Sequence, residues 1–120
     1  MTSKELNLKL ITLLPELEPS YRHEIEWQDG DETGSHIVFE DILVPYLLDC
    51  IKNGDEEDIR KSFDSIETLL YLKDKYAEEV IAFSVIESLI FSIDIKEDLY
   101  NCMGNLTQKM FKEVFQNLKS

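Results

Sequence analysis

Tyr76-Ala77-Glu78-Glu79-Val80-Ile81-Ala82-Phe83-Ser84-Val85-Ile86-Glu87-Ser88-Leu89-Ile90-Phe91-Ser92 is the stretch on which the fold turns. Its apolar positions (Val80, Ile81, Phe83, Val85, Ile86, Leu89, Ile90 and Phe91) surround a helix instead of marking one stripe. A helix that is apolar nearly all round is a central, buried one. Phe83 and Leu89 are therefore expected in the core, and truncating either to alanine should cost roughly 2–5 kcal/mol.

The flanking segments read as helices that surround this one. Before it, Ile59, Phe63, Ile66, Leu69 and Leu70 recur at helical spacing. Asp55 stands where it caps that helix, with Glu56, Glu57 and Asp58 in the first turn, where acids complement the positive end of the helix dipole. Further back, a helix from about His36 to Asn53 carries Val38 or Phe39, Ile42, Leu43, Leu47 and Ile51. Pro45 lies inside it and should bend it by removing one backbone donor, and Gly54 closes it.

At the start of the chain, Ser3 is positioned to cap a helix bearing Leu6, Leu10, Leu13 and Leu14, which Pro15 ends or kinks. Pro19 opens a short second helix through Tyr21, Ile25 and Trp27, and Asp29 to Ser35 reads as a loop. After the central helix, Gly104 separates segments 96–103 and 105–119, the latter with a core face of Leu106, Met110, Phe111, Val114, Phe115 and Leu118. No convincing strand alternation and no fixed-period repeat is present. The expectation is one all-α domain over 1–120, a compact bundle or short stack of antiparallel helical hairpins with about six or seven helices.

Composition narrows the function. The chain has 25 acidic and 12 basic residues among 120, a net charge of −13. A nucleic acid or an anionic membrane repels such a surface, whereas a basic protein is drawn to it. Cys50 and Cys102 are the only cysteines and both lie in apolar stretches, as buried thiols in a reducing compartment do. The first ten residues lack the apolar run of a signal peptide, and no apolar run approaches the ~20 residues a bilayer needs. A cytoplasmic location is expected.

Catalytic signatures are missing from the pattern. There is no glycine-rich phosphate loop, and two histidines, His23 and His36, do not make a nucleophile–base arrangement. No enzyme activity and no cofactor is expected. The sharpest motif is Asp29-Gly30-Asp31-Glu32-Thr33-Gly34, followed by Glu40. It has the spacing of a helix–loop–helix calcium loop, with Asp29, Asp31, Thr33 and Glu40 as candidate ligands. Against this, His36 occupies the usual aliphatic position, Gln28 and Asp41 flank the loop where apolar residues are usual, and no second loop pairs with it. An acidic loop leading into the next helix is the expected reading. His36 and Glu40, one turn apart, lack further Cys or His partners for a metal.

The charge is uneven. His23 to Ile51 holds Glu24, Glu26, Asp29, Asp31, Glu32, Glu40, Asp41 and Asp49 without one lysine or arginine, and Asp55–Asp58 adds four more acids. The last helix instead carries Lys109, Lys112 and Lys119 against Glu113. A field of one sign repels itself and lowers stability, a cost that a basic partner would relieve. Candidate partner-facing residues are Glu24, Trp27, Asp29, Asp31, Glu32, Asp55, Glu56, Glu57 and Asp58, with Trp27 and Tyr46 as aromatic anchors or core residues.

Three stretches carry a resemblance: Pro15-Glu16-Leu17, then His36-Ile37-Val38-Phe39-Glu40-Asp41-Ile42-Leu43-Val44-Pro45-Tyr46-Leu47, then Asn53-Gly54-Asp55-Glu56-Glu57. Together they resemble a group of short acidic helical bacterial proteins that includes immunity proteins of contact-dependent growth inhibition and related polymorphic toxin systems. The resemblance implies a role: binding a cognate basic toxin domain, often a nuclease such as an RNase, and blocking it. Two other readings stay open, a regulatory or scaffold module that binds another protein, and a calcium-binding protein that uses the Asp29–Glu40 loop.

Overall fold

The computed structural model describes residues 1–27 and 34–119, and for Trp27 the backbone alone. The chain is all-α, with seven helices and no strand among the described residues. The Asp29, Asp31, Glu32 and Thr33 positions lie outside the described residues.

Helix α1 (Ser3–Leu13) is capped by Thr2, not by Ser3 as expected. Thr2 Oγ1 accepts from the Glu5 amide at 3.1 Å, and Glu5 Oε1 accepts from the Thr2 amide at 3.1 Å. This reciprocal pair satisfies two donors that the helix start leaves free. The Ser3 hydroxyl is engaged elsewhere, 2.6 Å from the Tyr76 hydroxyl. Leu6, Leu10 and Leu14 are fully buried, and Pro15 opens a 3₁₀ turn (Pro15–Leu17) that leads into α2 (Glu18–Trp27).

Helix α3 (35–53) is continuous but irregular: an α-helical start (Ser35–Val38), a π turn (Phe39–Leu43) and a regular second half (Val44–Asn53). In the π turn the Val44 amide reaches back five residues to the Phe39 carbonyl. Pro45 follows at once. A proline ring presses on the carbonyl four residues back and donates no hydrogen bond. The wider π turn just before it accommodates both defects, so the proline appears as a local widening of the helix. Gly54 then ends α3 in the left-handed conformation, at φ 67°.

Helix α4 (Glu56–Leu70) buries its whole predicted stripe, Ile59, Phe63, Ile66, Leu69 and Leu70. Asp55 occupies the cap position, yet its side chain makes no capping bond, in contrast to the expectation.

Helix α5 (75–92) repeats the design of α3, with α-helical ends (Lys75–Val80 and Glu87–Ser92) around a π turn (Ile81–Ile86). Asp74 caps it, Oδ2 accepting from the Ala77 amide at 3.0 Å. It lies against α3, α4 and the last helix, and the two π turns pack against each other. Val80, Ile81, Val85, Ile86 and Leu89 are buried as a central helix requires. Phe83 and Phe91 are not: they are 60% and 72% exposed, which corrects the expectation that Phe83 is core. The helix has more apolar side chains than its packed faces can cover.

Segment 96–103 is helical only over α6 (Glu97–Tyr100). Helix α7 (Asn105–Lys119) packs on α4 and α5 through half-buried Leu106, Met110, Phe111 and Val114. Phe115 and Leu118, expected on its core face, are 36% and 39% exposed, which corrects that expectation. Among the described residues, no helix is long and apolar enough to cross a membrane.

Candidate functional site

The predicted partner-facing acids fall into two groups. Glu24 is half-buried on α2, and Trp27 ends that helix. Asp55, Glu56 and Glu57 are exposed and Asp58 half-buried at the start of α4. Glu56 is tied to Arg60 one turn on, Oε1 accepting from Nη2 at 3.0 Å and from Nε at 3.3 Å. The neighbouring Asp55 carboxyl, burial and the surrounding negative charge raise the Asp58 carboxyl above the usual aspartate range. Four acids within one turn, only one of them paired with a cation among the described residues, leave this end of α4 strongly negative.

Beside these acids lies an open groove of about 490 Å³ between the α3–α4 junction and α6. Ile51, Ile59 and Leu99 give it apolar walls, and Glu56 and Asp98 place carboxylates on it. Arg60 lines it too and already occupies Glu56, so Asp98 is the carboxylate on the groove without a cation among the described residues.

Tyr46 is half-buried and its hydroxyl donates to Glu16 Oε2 at 3.5 Å. Glu16 also accepts from Lys61 Nζ at 3.1 Å. Burial and the nearby Cys50 and Glu16 push the Tyr46 phenol well above its ordinary value, so it stays protonated. Tyr46 thus clips the turn before α2 to α3, a structural task more than that of a free anchor.

A second polar cluster joins α1, α3 and α5, where sequence reading had pointed to nothing beyond His36. Ser35 Oγ donates to the buried Asn7 Oδ1 at 2.8 Å. His36 Nδ1 lies 2.6 Å from Ser84 Oγ, and its ring stands edge-on to Tyr76, with centroids 6.2 Å apart. A serine beside a histidine invites a catalytic reading. Ser84 is only 4% exposed, inside the π turn of α5, and no carboxylate orients the imidazole among the described residues. The bond fastens the start of α3 to α5, immediately after the acidic loop. The only sequence signal for it is Ser84, a small polar residue inside the apolar run Val80–Ile86.

Other chemistry finds little support among the described residues. No group of three or more His, Cys, Asp or Glu could hold a metal ion. Glu40, the twelfth position of the calcium motif, is exposed on α3. Cys50 is buried, and burial pushes its thiol up, away from the reactive thiolate.

The chain belongs to the family described as Domain of unknown function (DUF7674), which it matches over residues 7–118. No curated protein and no solved structure matches it.

Proposed function

We propose that this member of the family is an immunity protein that binds and neutralises a cognate basic toxin domain, a nuclease of the RNase kind, in a contact-dependent growth inhibition type system. The observation that carries the reading is the placement of charge. Within a net charge of −13, His23 to Ile51 holds eight acids and no lysine or arginine, four more acids open α4 between Lys52 and the Arg60–Lys61 pair, and Lys109, Lys112 and Lys119 sit on α7. A nuclease holds phosphates in a basic cleft, and an acidic protein surface stands in for them. Opposed fields steer encounter and can lift association to about 10⁸–10⁹ M⁻¹s⁻¹ at low salt. Apolar side chains beside the acids then slow dissociation.

The test is growth. The reading frame adjacent to this chain's gene is expressed alone and together with this chain. Arrest alone and rescue in the pair is the expected result, accompanied by loss of the partner's nuclease activity in vitro. A partner without toxicity, or toxicity that this chain does not relieve, returns the protein to the reading of a regulatory or scaffold module.

A further inference from the structure

The outer side of α5 carries two rings that the core does not use. Phe83 is 60% exposed and Phe91 72%. Eight residues of regular α-helix set two side chains about 80° apart around the axis. The π turn at Ile81–Ile86 absorbs an extra residue and narrows that offset, bringing the rings toward one side. Glu79 and Glu87 flank Phe83 at a spacing of one turn, and Glu87 precedes Phe91 by another, so acid and ring alternate along the helix. Neither acid is in an ion pair among the described residues. The start of helix α3 packs beside the π turn of α5. The His36–Ser84 bond joins the sequence neighbours of Ile37, which is 36% exposed, and of Phe83. Exposed Glu40 follows His36 by one turn.

The apolar area and the charge together select the occupant. A phenylalanine offers on the order of 200 Å², so the two rings expose a few hundred Å² at most. A stable dimer needs about 1,200 Å² or more in total. A second copy would also bring its own −13 charge and the same glutamates against this face. Two rings framed by three carboxylates suit a cationic, amphipathic partner helix, whose apolar stripe covers the rings and whose lysines and arginines meet the acids. We infer that Phe83 and Phe91 anchor such a helix of the partner protein, on a face beside the first turns of α3, where Glu40 is exposed. The inference rests on the reading of this chain as the inhibitor of a basic protein, and it gives that protein a landing surface.

The probe is a synthetic lysine-flanked, leucine-striped helix of about five turns, titrated into the full chain by calorimetry and by amide chemical shifts, with a glutamate-flanked counterpart as control. Binding of the cationic peptide is expected, with shifts centred on α5 and the start of α3, weakening with salt. Phe83→Ser with Phe91→Ser should lower affinity at least tenfold or so, about 1.4 kcal/mol, and leave the helical spectrum intact. Should that pair perturb folding, Glu79→Lys with Glu87→Lys gives the same loss by charge. No peptide binding, equal binding of the counterpart, or full affinity in the variants overturns the inference. So does concentration-dependent self-association that the phenylalanine variants abolish. Growth protection keeps the two levels apart: variants that protect as well as the parent remove this face and leave the inhibitor reading standing, whereas a parent chain that never protects removes the reading itself.

Discussion

The carboxylate of Glu67, on α4, caps α7 at Thr107, with Oε1 accepting from the Thr107 hydroxyl at 2.8 Å and from its amide at 2.9 Å. Oε2 accepts from the Leu106 amide at 2.9 Å. Free amides at a helix start normally take a side chain from the residue just before the helix. Here the acceptor comes from another helix, so one side chain both satisfies α7 and fixes where it packs.

Glu67 should therefore be a pH-dependent link. Burial alone would raise its carboxyl, but the bonds from Leu106 and Thr107 outweigh burial and hold it below the ordinary glutamate range. A carboxyl lowered in the folded state contributes stability above its unfolded pKa of about 4.3 and loses it as pH falls through the lower folded value. Glu67→Gln is expected to cost about 1–3 kcal/mol at neutral pH. The gap to the parent should close progressively below pH ~4. Urea unfolding across that range checks it, and a gap that stays constant with pH contradicts the charged cap.

Gly104 is coupled to the same carboxylate. A Cβ at this position would overlap the Glu67 side chain, far inside van der Waals contact, so alanine there must displace the cap. Gly104→Ala should destabilise the parent by a similar amount, about 1–3 kcal/mol, and be close to neutral in a Glu67→Ala background. Additive losses in the double variant would show that the glycine serves some purpose other than room for the carboxylate.

Phe83 and Leu89 separate two uses of apolar side chains on one helix. Leu89 is 1% exposed, and its truncation to alanine should cost roughly 2–5 kcal/mol. Phe83, 60% exposed, should cost less than about 1 kcal/mol. Thermal or denaturant unfolding of the two variants decides it. Equal losses would mean that Phe83 is covered in solution.

These residues mark where the sequence was legible and where it was not. Leu6, Leu10, Phe63, Ile66, Leu69 and Leu89 are buried, as spacing of apolar residues at 3.6 per turn requires, and Gly54 ends α3 as a glycine there should. Local periodicity and local backbone chemistry suffice for such features. Phe83 was misplaced because α5 is apolar all round, which leaves no stripe to say which side faces out, and because its π turn departs from the assumed period. The α3 π turn was foreshadowed only by Pro45. Glu67 and Thr107 are forty residues apart, and nothing in either neighbourhood announces the other. Of the partner-facing set, the structure places Asp55, Glu56, Glu57 and Asp58 together because they share one helix turn, which is a local fact. The His36–Ser84 bond depends on two helices meeting, which is not.

Calcium should leave the melting temperature unchanged at millimolar concentration. A ligand that binds only the folded state raises stability by mass action. Glu40, the bidentate position of such a loop, stands exposed on α3, and position 8 is taken by His36 in its bond to Ser84. A clear rise that Glu40→Gln abolishes would reinstate the calcium reading.

The distribution of charge makes the sharpest functional prediction. If the acid-rich segment meets a basic toxin, reversing Asp29, Asp31, Glu56 and Glu57 to lysine should slow association and flatten its salt dependence. Glu56 and Glu57 are exposed, so the fold should tolerate the change. Reversing Glu56 also removes its pair with Arg60, an exposed contact that contributes little to stability. The matched control reverses Lys96, Lys109, Lys112 and Lys119 to glutamate. Lys112 and Lys119 lie over the Tyr100 and Phe115 rings, at 5.7 and 4.5 Å, so that set loses two weak cation–π contacts yet leaves the acidic side intact. Its effect on association with the toxin should be small. Stopped-flow rates at two salt concentrations, with growth protection alongside, separate the outcomes. Equal slowing by both sets would mean that net charge alone steers the encounter, and slowing by the lysine set alone would place the partner on α7.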